Sequence, residues 1–200
     1  MRRPAALPSR ARAGRRTRAA ARALAAALLA VAALPAHAQI DAETRAARAA
    51  PLLDRLATIR SPAAAHPVVM QVWRIWNLGP TAEATETLDI ARRRLRTRDY
   101  AGALALLGPL TERHPEFAEA WNQKAFAHFL RGELDASLED IERVLELEPR
   151  HFGALGGRTA ILMRQGRVRL GRKVLREALG IHPCMPERDM LGGDVPREEI

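Results

Sequence analysis

The stretch LTERHPEFAEAW, Leu110 to Trp121, closes one amphipathic segment at a histidine–proline pair and opens another within a few residues. Its proline, Pro115, recurs as Pro149 in LEPRHFGAL and as Pro183 in IHPCM, each 34 residues after the last. Proline lacks the amide donor that a helix interior needs, and it disfavours helix in the residue before it. A breaker that returns at one interval marks the end of a repeating helical unit. The windows drawn on the three prolines are 84–117, 118–151 and 152–185.

Helical periodicity appears twice in each window, separated by a turn. In the second, Trp121, Ala125, Phe129 and Leu130 mark a helix from about Ala118 to Leu130, and Arg131-Gly132-Glu133 makes the turn. Leu134, Leu138, Ile141, Val144 and Leu145 then share one face of a helix that Pro149 ends. The first window repeats this with Asp99-Tyr100 before Leu104, Leu107 and Leu110, and the third with Gln165-Gly166-Arg167 before Val168, Val174, Leu175 and Leu179. Small residues stand where two helices of a hairpin must cross closely: Ala91, Ala125 and Thr159 on the first helix, Ala103, Ser137 and Gly171 on the second.

This grammar resembles the tetratricopeptide repeat family, a 34-residue helix–turn–helix unit with a tryptophan, small residues at two crossings and a late proline. The second window carries Trp121, Ala125, Ser137 and Pro149 in those places. The first has Thr87 for the tryptophan and Arg94 for the usual tyrosine; the third has Leu155 for the tryptophan, Arg158 for the usual leucine and Gly171 for alanine. The resemblance implies an all-α, right-handed solenoid of three helical hairpins that binds another protein. Before it, 39–83 holds two shorter patterns, Leu52, Leu53, Leu56 and Ile59 on one and Val68, Val69, Val72, Trp73 and Trp76 on the other. They read as an N-terminal helical cap: either a degenerate repeat with Ala57 and Trp73 at core positions, or two helices covering the first repeat's open face. After Pro186 the tail, residues 186–200, is expected to be loosely ordered.

The net charge of +9 does not belong to the repeats. Residues 1–38 hold eight arginines and no acid, which leaves 24 bases and 23 acids in the remainder. Those 38 residues read as a secretory signal peptide: a basic region to Arg22, the apolar run ALAAALLAVAAL (Ala23–Leu34), then Ala36-His37-Ala38 in the small–x–small form of a cleavage site. The apolar run is too short to span a hydrocarbon core. The expected location is therefore periplasmic or secreted, with cleavage near Ala38 and no transmembrane span in the mature chain. A mature chain near neutrality offers little electrostatic drive toward nucleic acid. The lone Cys184 has no partner for an intrachain disulfide.

No phosphate-binding glycine loop, His-Glu-x-x-His or Gly-x-Ser-x-Gly occurs, and no histidine or cysteine spacing fits a metal, so neither cofactor nor catalysis is expected. His114, His151 and His182 sit beside the repeat prolines; Glu139-Asp140 reads as solvated charge on an exposed face. The arginine run 92–98 reads either as a solvated last helical turn, with Asp89 as a partner, or as a site for a carboxylate. Charge varies along the array: +1, −4 and +6 for the three windows in order. The basic third repeat offers a polar terminal face, or a surface for a partner or an anionic membrane. By the family's pattern, first helices line a concave groove, which here brings Leu88, Arg92 and Leu95 together with Asn122, Phe126 and Phe129, and with Gly156, Ala160 and Met163. Arg92, Asn122, Phe126, Phe129 and Met163 are the candidate binding residues. Arg92 could meet a carboxylate, Asn122 a peptide backbone, and the phenylalanines an apolar anchor. A core role for Phe126 and Phe129, against Leu138 and Ile141, is the competing reading. An accessory or regulatory subunit of an envelope enzyme complex is the alternative function; an enzyme without a sequence signature is a second.

Overall fold

The computed structural model describes residues 40–191. The signal-peptide reading of 1–38 and the tail from 192 onward lie outside those residues. Among the described residues the chain forms eight α-helices and a short 3-10 turn, Pro186–Leu191, with no strand. The repeats are three stacked hairpins. They pair α3 (Ala82–Arg96) with α4 (Tyr100–Arg113), α5 (Ala118–Arg131) with α6 (Leu134–Leu147), and α7 (Phe152–Arg164) with α8 (Val168–Ile181). The architecture is an all-α solenoid.

Local chemistry sets each boundary. Thr81 and Asp99 cap α3 and α4 by accepting the amides of Ala84 and Gly102, at 3.0 and 2.9 Å. The hairpin turns need a left-handed residue, which Gly132 (φ 82°) and Gly166 (φ 73°) adopt without a Cβ penalty. In the first hairpin the equivalent residue, 34 positions earlier, is Arg98, at φ 63°. The crossing inside the second hairpin is tight: Ser137 Oγ donates to the carbonyl of Ala125 at 2.8 Å, and both residues are buried. In the quoted stretch, Trp121 Nε1 donates to the carbonyl of Pro115 at 3.1 Å, and Phe117 is fully buried.

The remaining pair, α1 (Ala42–Thr58) and α2 (Pro62–Trp76), departs from a cap over the first repeat. Its apolar face, with Ala49, Leu53, Leu56, Val68, Val72 and Trp76, shares one core with Phe152, Leu155, Leu162, Val174 and Ala178 of the third hairpin. α1 crosses the loops that join successive repeats. The Arg45 guanidinium lies 5.2 Å from the Phe117 ring centroid, Asp54 pairs with Arg150 at 2.7 Å, and the carbonyl of Ile59 faces Cys184 Sγ at 3.6 Å. Phe117, Arg150 and Cys184 stand almost one repeat apart, so α1 is a strap over equivalent points of the array. The physical reason is apolar area. Trp73, Trp76 and the valines of α2 present a wide hydrophobic face, and His151 and Phe152 present aromatic surface to receive it. The tail also differs from expectation at its start: Pro186–Leu191 is ordered as a 3-10 turn, with Met185 and Leu191 buried.

Candidate functional site

The first helices α3, α5 and α7 face a common groove, and α2 enters it. Trp76 stacks on His151 with ring centroids 4.1 Å apart, while Trp73 meets His151 and Phe152 edge-on at 5.5 and 5.4 Å. Gly153 permits this approach, because a Cβ there would lie 2.7 Å from Trp73 Cη2. Beneath the aromatic cluster is a closed polar network. His151 Nδ1 accepts the amide of Ala154 at 3.1 Å, capping α7, which leaves Nε2 to donate to Glu119 at 3.1 Å. Glu119, itself buried, also accepts from Asn122 at 3.1 Å and Gln123 at 2.6 Å. A buried carboxylate with three donors is satisfied, and it fixes the first turn of α5 against α7.

Beside this self-occupied half lies an open one. Trp73, Phe126, Phe129, Gly156, Ala160 and Glu187 are among the residues around a pocket of about 290 Å³ between α5 and α7. Phe126 is 47% exposed in it, whereas Phe129 is half-buried, with the Arg164 guanidinium 5.9 Å from its ring. A second hollow adjoins it, lined by Met70, Trp73, Arg74, Asn77, Arg92, Glu119 and Gln123. Trp73 and Gln123 border both.

The structure thus brings four of the five candidate residues to this groove. Asn122, Phe126 and Phe129 border the apolar pocket, with Asn122 engaged by Glu119. Arg92 borders the hollow, where it donates to Asn77 Oδ1 at 3.0 Å and lies 3.7 Å from Asp89. Met163 is elsewhere: its Cγ, Sδ and Cε all lie 3.2 Å from the place a Cβ on Gly171 would take, so it fills the crossing of its own hairpin. Leu88 and Leu95 are core residues. Sequence reasoning missed the contribution of α2, since nothing in a 34-residue register points a flanking tryptophan at a residue 75 positions later.

Glu139 is exposed as expected, but Asp140 is buried, a correction to the solvated reading of that pair. Adjacent helical residues point about 100° apart, which turns Asp140 toward α5. There Lys124 Nζ donates to it at 2.8 Å. Burial pushes the Asp140 carboxyl above its ordinary range, against the opposing Lys124 ammonium. His128 Nδ1 is 2.6 Å from Glu133 Oε2, a hydrogen bond that holds Glu133 below the usual carboxylate range. Arg45, another buried charge that the sequence did not single out, donates to the carbonyls of Leu78 and Ile40, each at 3.1 Å.

No helix among the described residues is long and apolar enough to cross a membrane, and no cluster of three or more His, Cys, Asp or Glu among them could hold a metal ion. Comparison with known proteins agrees with the fold. The family model described as tetratricopeptide repeat matches residues 88–150. A TPR repeat-containing protein of Rhizobium etli is 33% identical over 133 residues, which cover 66% of this chain and 65% of that relative. The match therefore spans a little under two thirds of the relative's length. Such repeats generally mediate contacts between proteins through extended concave surfaces. With three phased hairpins, their closing prolines and these two matches, the array is built of repeats of the tetratricopeptide type.

Proposed function

We propose that the chain is an exported adaptor that binds a segment of a partner protein in its concave groove and does no chemistry itself. One observation carries this reading: Phe126 stands 47% exposed at a pocket that Trp73 and Phe129 also border. A large aromatic left accessible in a concave site is the type of residue that dominates protein interfaces. Phe126 and Phe129 supply the apolar anchor, and Asn122 and Arg92 supply polar contacts at the margin. Met163 packs on Gly171 at the crossing of its own hairpin and takes no part in that surface. The region 39–83 acts as a strap that shapes the groove, and the three windows 84–117, 118–151 and 152–185 are its repeats. Export rests on the leader 1–38, whose arginines, apolar run and Ala-His-Ala have the form of a cleaved signal. The partner is a protein or peptide; the alternative role, a regulatory subunit of an envelope enzyme complex, uses the same groove.

Crosslinking in the envelope of the host, with mass spectrometry of the adducts, tests both halves. The wild type is compared with a Phe126→Asp variant whose helicity is first shown unchanged. A discrete adduct lost in the variant supports the groove, and an adduct that persists moves binding elsewhere. N-terminal sequencing of the envelope protein should begin at or near Gln39; an intact Met1 terminus would remove the export reading.

A further inference from the structure

The outward faces of α6 and α8 carry opposite charge at matched positions. α6 places Asp135, Glu139, Glu142 and Arg143 where α8, 34 residues later, places Arg169, Lys173, Arg176 and Glu177. The sign reverses at all four. The inward faces of the same helices carry Ser137, Ile141 and Val144 on one and Gly171, Val174, Leu175 and Ala178 on the other, so the charges point away from the core. Seven of the eight residues are exposed and Arg143 is half-buried. Arg143 pairs with Glu146 on its own helix at 2.7 Å. None of the other seven lies within ion-pair distance of an opposite charge among the described residues. Two complementary rows therefore lie on the second helices of successive hairpins without neutralising each other.

We propose that this convex face is self-complementary and joins two copies of the chain about a two-fold axis parallel to α6 and α8. As second helices of successive hairpins, the two run in the same sense. A two-fold axis along them exchanges left for right and preserves height. It sets each copy's α6 on the other's α8 with matched positions level: 135 opposite 169, 139 opposite 173, 142 opposite 176, and 143 opposite 177. An isologous interface needs one patch to serve both partners, and this patch does. Val168 and Leu170, exposed at 42% and 37%, flank the cations and would meet Leu134 and Ala136 at the same two heights. Rotation about an axis across the helices would set acid on acid and base on base, so the pattern also excludes the wrong pairing. Exposed ion pairs are individually weak and screened by salt, which makes the dimer salt-sensitive. The inference is independent of the groove, since it uses the second helices and not the first.

Sedimentation velocity on the full chain, over a concentration series at low and high salt, tests it. Wild type should form dimers at low salt and revert to monomers at high salt. Arg169→Glu/Lys173→Glu/Arg176→Glu should be monomeric throughout, and so should Asp135→Arg/Glu139→Lys/Glu142→Arg. An equimolar mixture of the two should dimerise, and so should the six-fold swap on its own, which keeps the wild-type net charge. Circular dichroism checks that each variant folds. A wild type that stays monomeric at low salt overturns the proposal, as do triple variants that still dimerise or a six-fold swap that does not. Open-ended polymers would overturn the two-fold axis. A monomeric wild type that co-sediments with phosphatidylglycerol vesicles would give the α8 stripe to an anionic lipid surface instead.

Discussion

The α5/α6 hairpin and the α1/α2 pair are both antiparallel helices with one apolar face, but their polar contacts act over different distances. In α5/α6 the bond from Ser137 to Ala125 spans 12 residues, and Lys124 reaches Asp140 across 16. In α1/α2 the pair Asp54–Arg150 spans 96 residues and the contact of Ile59 with Cys184 spans 125. A hairpin closes a short loop for its contacts; the strap closes a long one, with a larger entropic cost that only a formed array can offset. The repeats therefore make the surface, and the strap then sets how much of it stays open.

The most severe way to break that division is to remove the strap's anchor. Trp76 is 1% exposed, stacked on His151 and in contact with Trp73 and Phe152. Trp76→Ala should cost about 3–5 kcal/mol, as for large aromatic truncations in cores. Denaturant unfolding followed by circular dichroism would measure it. If the strap is part of one cooperative core, tryptophan fluorescence and helicity shift together. A loss under about 1 kcal/mol would mean that the pair is an appendage and that the repeats stand without it.

The corresponding test within the hairpins is Ala125→Phe. Ala125 is buried at the crossing, and its carbonyl accepts the Ser137 hydroxyl. Overpacking there should destabilise by about 1–3 kcal/mol. An unchanged melting temperature would take position 125 out of the tight crossing. A drop equal to that of Trp76→Ala would show that local and distant contacts weigh alike, contrary to the comparison above.

The hairpins were legible because their information is local and repeated. Pro115, Pro149 and Pro183 mark the ends, Gly132 and Gly166 the turns, and Ala125 with Ser137 the crossing; each acts on residues within one unit. Phe117 was not legible, since a residue between a proline and a helix carries no periodic signal of its depth. Nor was the destination of Trp73 and Trp76: amphipathicity shows that α2 must bury a face but not against what. The site shares this limit. Asn122, Phe126 and Phe129 reach the groove through the repeat's own geometry, while its far wall, Trp73, arrives from outside the register. Met163 and Asp140 were misplaced by smaller rotations, each decided by the neighbouring helix it meets.

The hairpins also differ among themselves, and a finer test uses that. Gly132 and Gly166 take the left-handed turn freely, whereas Arg98 adopts it at φ 63°. A left-handed conformation costs an ordinary residue roughly 1–2 kcal/mol, and glycine returns part of that in unfolded-chain entropy. Arg98→Gly should raise stability by about 0.5–1 kcal/mol, and Gly132→Arg should lower it by a similar or larger amount. Melting curves of the two variants against wild type would show shifts of opposite sign. Shifts of the same sign would mean that the side chain of residue 98, and not its backbone, sets the turn.

The smallest effect is expected at the most conspicuous long-range contact. Asp54 and Arg150 join the strap to the loop between the second and third repeats at 2.7 Å, but their side chains are 71% and 39% exposed. Exposed pairs contribute about 0–1 kcal/mol, because ordering two side chains offsets much of a screened attraction. Asp54→Ala should change the unfolding midpoint little, and less still at high salt. The strap's hold then resides in the apolar contacts that α1 and α2 bury, with the ion pair fixing where α1 lies along the loops. A loss comparable to that of Trp76→Ala would reverse this, making a surface charge the anchor and the aromatic cluster its consequence.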